Sequence, residues 1–379
     1  MEIAMTLQST SFGRLRPAVS RRFVIGGLAA AGGAAVLAGV SNMPPADYDT
    51  ALAEQLRPFA TEPYLREMVR AATLAANSHN TQPWRYRIAT GRIDIVPDFS
   101  RRTPIVDPDD HHLFASLGAA TENLVIAALH YGQATDVVAP TSVDGEIAVH
   151  LTGTTSNDAP LFDAITERQS SRSTYDGSAI ANETLRDLVA IAGTDSVEAI
   201  MVTDTPQREE IIDLVLASNR AQLDDGAFRS ELKSWLRFNP NVAARMKDGL
   251  LSAASGNPSL PEWLGPLMYD LTVKADGDND KVAAQMRSSS ALVVFSATTD
   301  DPAGWVAAGR SYERFALAAT RAGLQHAFVN QAVEVAAQRA QLQSTLGLGT
   351  RRADMIIRIG RGPTLPRSLR RPVDDVLIS

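Results

Sequence analysis

The sequence contains no cysteine among its 379 residues. That absence excludes disulfides, thiolate nucleophiles and cysteine-linked lipid anchors, and with them zinc or iron–sulfur centres built on cysteine. Positive charge is in deficit, with 36 Lys and Arg against 43 Asp and Glu, a net charge of -7. An acidic chain gives no general reason to expect a nucleic-acid partner, and none is expected. There is no G-x-S-x-G elbow, and Gly347-x-Gly349 follows a helical pattern rather than a strand, so it is no dinucleotide fingerprint. Asp107-Pro108-Asp109-Asp110-His111-His112 gathers possible metal ligands, but adjacent ligands on a polar loop read as a solvated turn, and no metal is expected. What remains is a globular composition, 45% hydrophobic and 21% charged, long enough for one large or two modest cores.

Residues 1–45 stand apart. Ser20-Arg21-Arg22-Phe23 opens a Gly- and Ala-rich apolar stretch, Val24 to Val40, which Asn42, Pro44 and Pro45 break. This pattern reads as a Tat-type export signal. The alternative is an N-terminal membrane anchor, since no clean A-x-A site is visible. The stretch is marginal for a span and carries five glycines, which favours the signal. The expectation is therefore an exported, extracytoplasmic protein whose membrane contact is confined to this segment.

In the body, Ala75 to Tyr86, AANSHNTQPWRY, is the densest polar stretch. Six consecutive residues, Asn77 to Gln82, carry hydrogen-bonding side chains. Pro83 favours an extended Gln82, and Trp84 is a large apolar anchor. A row of amides and hydroxyls suits a flat heteroaromatic ligand with alternating donors and acceptors. The same residues also make an ordinary polar turn with a core Trp.

Around this loop the chain reads as follows. Asp47 to Ala76 is two helices broken near Pro58 and Pro63. Trp84–Ile88 and Arg92–Val96 form a hairpin around Thr90-Gly91. Leu113 to Tyr131 is a helix ended by Gly132; Val137-Val138 and Glu146 to Leu151 are strands. Residues 153–160 are a polar linker and a unit boundary. Helices follow at Ala181–Ala192, Gln207–Leu223, Trp305–Ala322 and Val333–Leu346, with strands at Ser196–Thr203, Ala291–Ser296 and Met355–Ile359. Ala275 to Asp280 reads as a polar turn. Asp225 to Lys274 is too long for a simple connection and too apolar for a linker.

There is an internal repeat at an offset of 191 residues: Gly118 matches Gly309, Glu122 matches Glu313, Ala127-Ala128 matches Ala318-Ala319, and Gly132 matches Gly323. Both segments are helices with the same buried face and the same glycine terminator. Two related units in one chain would mimic a homodimer.

Glu167-Arg168-Gln169-Ser170-Ser171-Arg172 places two guanidiniums four residues apart with hydroxyls between. Arginine forks pair bidentately with phosphate oxygens, and serine adds short donors. The chain ends in a second basic group, Arg367-Ser368-Leu369-Arg370-Arg371-Pro372.

These pieces together resemble the nitroreductase superfamily of FMN flavoproteins. Asn77-Ser78-His79-Asn80-Thr81-Gln82-Pro83-Trp84 resembles its P-S-x-x-N-x-Q-P-W loop, with Ala76-Asn77 where that family has Pro-Ser. Arg168 to Arg172 resembles its R-x-S-x-R phosphate loop, and Arg370 or Arg371 its basic residue ahead of a C-terminal proline. The resemblance implies FMN contacts for Asn77, Ser78 and Asn80; phosphate and ribityl contacts for Arg168, Ser170 and Arg172; and a phosphate contact for Arg370, with Arg371 beside it. Asn330 and Gln331 fall where the family offers a backbone N–H to flavin N5. Gln82 and Trp84 hold the loop's shape. Each half-site occurs once, which resembles the Acg-like branch of two fused units and one FMN.

The implied architecture is α+β, a nitroreductase-like fold of two pseudo-symmetric mixed-sheet units wrapped by helices: residues 46–155, then residues 156–379 with the insertion 225–274. The implied assembly is a monomer mimicking a homodimer. Two functions follow. One is an FMN-dependent oxidoreductase acting on nitro, quinone or similar small-molecule acceptors. The other is a non-enzymatic FMN-holding protein, favoured by poor access of an exported protein to NAD(P)H. Trp235, Arg237 and Asp248-Gly249-Leu250 are expected to form a lid over the flavin; the alternative is a helical subdomain packed away from the cleft. Loss of flavin altogether is a third possibility.

Overall fold

A computed structural model describes residues 46–379; the export-signal reading of residues 1–45 lies outside the described residues. Residues 46–379 form one compact unit. The chain opens with α1 (Ala46–Gln55) and α2 (Tyr64–Thr73), then the hairpin β1 (Trp84–Ala89) and β2 (Arg92–Pro97). The long helix α3 (His111–His130) leads to β3 (Gln133–Val138) and β4 (Ile147–Thr154). After an irregular stretch come α4 (Asn182–Ala192), β5 (Val197–Val202) and α5 (Thr205–Asp224). Past the insertion lie α6 (Ala275–Arg287), β6 (Ala291–Ala297), α7 (Pro302–Arg321), β7 (Gln325–Phe328), α8 (Ala336–Thr345), β8 (Met355–Gly360) and β9 (Leu377–Ile378).

The two sheets repeat one another. The first has the order β9-β1-β2-β4-β3 and the second β5-β6-β8-β7. Without β9, each is four strands in the order first, second, fourth, third, with every neighbouring pair antiparallel. In each, a helix precedes the first strand and a long helix joins the second strand to the third; the second half adds α5, the insertion and α6 between β5 and β6, and α8 between β7 and β8. The expected mixed character comes in the first sheet from β9, which pairs parallel to β1 through Tyr86 and Leu377, and in the second from a single parallel bridge, Ser170 to His326, at the β7 edge. The C-terminal tail thus leaves its own half and completes the other half's sheet.

The long helices α3 and α7 meet back to back, and the repeated glycines are why. A Cβ on Gly118 would stand 2.1 Å from the carbonyl oxygen of Val306, and one on Gly309 would stand 1.9 Å from that of Ala115. Ala115 and Val306 are themselves separated by the repeat offset of 191. The contact is therefore reciprocal, as across a two-fold axis, and only glycine permits backbones this close.

The core follows the same division. Met68, Trp84, Ile93, Phe114, Leu117 and Leu124 fill the space between the first sheet and α2 and α3. Val293, Phe295, Phe315, Ile357 and Ile359 pack the second sheet against α4 and α7. The second sheet's other face is covered too, by α5 and α6 through Ile211, Val215, Val282 and Met286. That double cover explains why β6 is buried along its whole length. It also corrects the polar turn expected at Ala275 to Asp280. Those residues open α6: Asp276 and Asp278 lie in its first turn, where the helix dipole favours acids, and Val282, Ala283 and Met286 are its buried stripe further on. Strands β7 and β9 were also absent from the sequence reading. Both are short, and they gain their identity from the neighbour they pair with.

Candidate functional site

The loop that follows α2 is tightly wound. His79, Asn80 and Gln82 all have positive φ, at 46°, 54° and 54°. The extended Gln82 expected ahead of Pro83 is therefore not what forms. Left-handed backbone costs a non-glycine residue on the order of 1 kcal/mol, and the loop offsets it with hydrogen bonds. Asn77 Oδ1 accepts from the Gln82 amide at 2.8 Å; Gln82 Nε2 donates to the Lys247 carbonyl at 2.9 Å; and Gln82 Oε1 accepts from the Arg371 amide at 2.7 Å. The Ser78 amide donates to Ser116 Oγ at 3.2 Å, seating the loop on the first turns of α3.

Asn80 is the hub of the loop. Its Nδ2 donates to the carbonyls of Gly249 at 2.7 Å and Leu369 at 2.9 Å, its carbonyl accepts from the Gly249 amide at 3.0 Å, and Arg370 Nη1 donates to its Oδ1 at 2.5 Å. One side chain therefore joins the loop, the insertion and the C-terminal tail.

The Arg168–Arg172 segment is held by the second sheet. Ser170 bridges His326 of β7, and the Ser171 amide donates to the His326 carbonyl at 2.9 Å. Arg358, buried in β8, donates to the carbonyls of Ser171 at 3.2 Å and Ser173 at 2.8 Å and lies 4.0 Å from the centroid of the Tyr175 ring. Arg168 crosses to the first half, donating to the Leu74 carbonyl at 2.7 Å, and pairs with the fully buried Glu313 at 2.9 Å. Glu313 is the repeat-mate of Glu122, which pairs instead with Arg310 at 2.8 Å and Arg314 at 2.9 Å.

These segments line a cleft that opens to solvent. Its walls include Asn77 and Asn80 from the loop, Arg168, Ser170 and Arg172 from the second segment, Arg367 and Arg370 from the tail, and Leu250 and Ala254 from the insertion. So six of the ten residues singled out in the sequence meet on one cleft although they are far apart in the chain. The other four do not line it. Ser78 gives its backbone amide to Ser116 Oγ. Arg371 is a staple: its guanidinium donates to the carbonyls of Gln82 at 2.6 Å and Trp84 at 3.0 Å. Asn330 Oδ1 accepts from the Ile356 amide at 2.9 Å, and Gln331 Nε2 lies 3.5 Å from Asn219 Oδ1 of α5; these are contacts of the side chains, distinct from the backbone N–H expected to face the flavin. Sequence reading missed Gln55, Phe328 and Arg367 on the walls. Arg367 had a signal, as part of the same basic tail.

Electrostatically the cleft lacks negative charge. Four guanidiniums line it, and Glu313 behind Arg168 is the one carboxylate paired with any of them among the described residues. Burial, together with Arg168, lowers Arg370 to about 9 and Arg367 to about 10. Burial also lowers Arg172, whose side chain has no hydrogen bond or ion pair among the described residues. Desolvated cations that repel one another are stabilised by an anion brought between them.

The insertion does not pack away from the cleft. Asp248 is buried, pairs with Arg237 at 2.6 Å and accepts from Arg101, whose guanidinium lies 5.4 Å from the Trp235 ring centroid. Of the residues expected in a lid, Leu250 reaches the cleft wall, whereas Trp235, Arg237 and Asp248 brace it from behind.

No family profile matches the chain. In sequence it is similar to a Mycobacterium tuberculosis protein provisionally named an NAD(P)H nitroreductase, 24% identical over 324 residues that cover 83% of this chain and 90% of that protein. It is also similar to an uncharacterised protein of the same organism, 26% identical over 337 residues, 83% of this chain and 92% of the relative. Among solved structures it aligns with an FMN-bound nitroreductase from Desulfitobacterium hafniense at 15% identity and a TM-score of 0.38, over 58% of this chain and 97% of that one. It aligns with the FMN-dependent nitroreductase of Mycobacterium smegmatis at 15% identity and a TM-score of 0.37, over 56% and 94%.

Proposed function

We propose that the chain is an FMN-binding, nitroreductase-like flavoprotein carrying one flavin per chain in this cleft. The observation that carries the reading is the convergence of Arg168, Ser170 and Arg172 with Arg367 and Arg370 on the same cleft as Asn77 and Asn80. The fit of a phosphate is argued from Arg172, a cleft-lining guanidinium with no partner among the described residues, and from the lowered Arg370 and Arg367. Arg172, Arg367 and Arg370 would hold the phosphate, Ser170 would add a short donor, and Asn77 and Asn80 would meet the polar body of the cofactor. When bound, the flavin supplies hydride transfer to nitro, quinone or similar acceptors. The chain's own contribution is orientation, charge neutralisation and exclusion of water by the Leu250–Ala254 wall.

The identical strand order of the two sheets and the reciprocal glycine contact support duplication and fusion, the Acg-like arrangement. The one-site reading rests on asymmetry. The loop between α2 and β1 has ten residues, whereas its counterpart between α4 and β5 has four. Glu122, the counterpart of Glu313, is already engaged by two arginines of α7. Export through the twin-arginine segment is part of the same proposal, motivated by Arg21 and Arg22. The FMN-holding alternative is favoured by the insertion's clamp on the loop, which restricts the cleft. An absorbance spectrum with quantified released flavin tests the proposal. One FMN per chain is expected; no flavin band after reconstitution, or two per chain, overturns it. Bleaching by NADPH separates the oxidoreductase from the holding protein.

A further inference from the structure

The insertion carries a second feature that the flavin reading leaves unused. Its helix Gly265–Thr272 is docked by one side only. Gly265 lies so close to Phe238 that a Cβ would stand 2.2 Å from the ring, and Tyr269 is buried. The opposite edge is apolar and bare: Trp263 is 75% exposed, Leu267 51% and Leu271 60%. Leu267 and Leu271, four apart, share one edge of the helix, and Trp263 lies in the turn that leads into it, four residues before Leu267. The other exposed large apolar residues away from the insertion, such as Ile105 and Val138, are scattered singly, which is ordinary.

The rim of this edge is polar and internally neutralised. Lys233 pairs with Asp270 at 2.8 Å, and Arg245 with Glu262 at 2.7 Å. A surface of one Trp and two Leu, bounded by neutral ion pairs, matches the headgroup region of a bilayer, where Trp is favoured and Leu reaches the acyl boundary. Where the chain enters the body supports the same occupant. Helix α1 packs Tyr48, Ala51 and Leu52 against Ala243, Leu251 and Ala254 of the insertion. The apolar run Val24–Val40 ends six residues before α1, a reach of at most roughly 20 Å. Met246, at the end of the helix on which α1 packs, is 47% exposed, and its neighbour Arg245 makes the pair with Glu262 beside Trp263. The first described element, α1, therefore packs on the flank that carries the bare edge.

We infer that the Trp263–Leu267–Leu271 edge is a membrane-surface contact that rests on lipid headgroups of a zwitterionic bilayer. The insertion then has two faces, one walling the cleft through Leu250 and Ala254 and one lying on lipid.

The test uses the full chain with phosphatidylcholine vesicles, with and without brominated acyl chains. Trp84 and Trp305 are buried and Trp235 is half-buried, so the difference between the wild type and Trp263→Phe isolates Trp263. The expected result is a blue-shifted Trp263 emission that brominated lipid quenches by about half, unchanged by 0.5 M salt because the rim is neutral (~, by the screening of exposed charges). Leu267→Ser with Leu271→Ser should weaken that quenching about 100-fold in lipid concentration, from the loss of two apolar contacts. These side chains are exposed, so the fold is not at stake. Absence of vesicle binding overturns the inference. So does co-flotation with Trp263 emission unchanged, which would leave the N-terminal segment as the sole attachment. A blue shift that grows with protein concentration without lipid would assign the edge to a second copy instead.

Discussion

Replacing Arg172 by Met separates binding from folding more cleanly than any other change in the cleft. Arg168 is unsuitable, because its loss would strand the buried Glu313, and breaking a buried pair costs about 3–5 kcal/mol in stability. Arg172 has no acidic partner among the described residues, and its environment already lowers its proton affinity through burial. Met keeps most of the stem's packing and removes only the charge and its donors. The ligand-free protein should therefore unfold at the same urea concentration as the wild type, or at a higher one. FMN affinity should fall, because a hydrogen bond to a charged group contributes about 1.5–3 kcal/mol, or roughly 10- to 150-fold in Kd. Fluorescence quenching of titrated FMN reads the second quantity and urea unfolding the first. Unchanged FMN affinity would refute the phosphate role, and a ligand-free protein destabilised by more than about 1 kcal/mol would refute the view of Arg172 as an uncompensated cation.

Gly118→Ala and Gly309→Ala should each destabilise by about 2 kcal/mol or more, overpacking outweighing the helix propensity gained, and the two costs should be similar because the contact is reciprocal; urea unfolding of both variants checks this. Asp248→Asn leaves Arg237 and Arg101 without their shared carboxylate, so the insertion should loosen from the loop and FMN should dissociate at least about tenfold faster, measured by stopped-flow fluorescence. Acid should destabilise the fold below about pH 6.5. Burial holds His111, His112 and His326 near 3 and His79 near 4, so the unfolded chain binds protons that the folded one refuses, and stability falls as pH drops from 6.5 toward 4. Burial also raises Asp354, the partner of His111, to about 7, and raises Asp107, Asp110, Glu313 and Glu334; these carboxylates work the other way as pH falls. With the four buried histidines dominant, thermal melts at pH 7 and pH 5 should show the lower midpoint at pH 5; a higher midpoint at pH 5 would assign the balance to the carboxylates.

The sequence alone determined the pieces that local chemistry dictates. The hairpin at Trp84–Pro97 follows from alternation around a turn, and the two long helices from their glycine-terminated apolar stripes. The repeat was legible because close helix contact demands glycine at the same place twice, and Gly118 and Gly309 kept that mark. Arg168, Ser170, Arg172 and Arg370 were legible because charge at short spacing is visible without a fold. Tertiary structure decided the rest. Arg370 and Arg371 are neighbours in sequence, yet one turns into the cleft and the other staples Gln82 and Trp84, a choice set by which carbonyls lie within reach. The partners of the Asn330 and Gln331 side chains, the Ile356 amide and Asn219, come from β8 and α5 and were decided by the fold alone. Strand β9 exists only through β1, and α6 only through the sheet face it covers. Gln82 adopts a positive φ against its local preference, because Asn77, Lys247 and Arg371 together bind it more strongly than the preference resists.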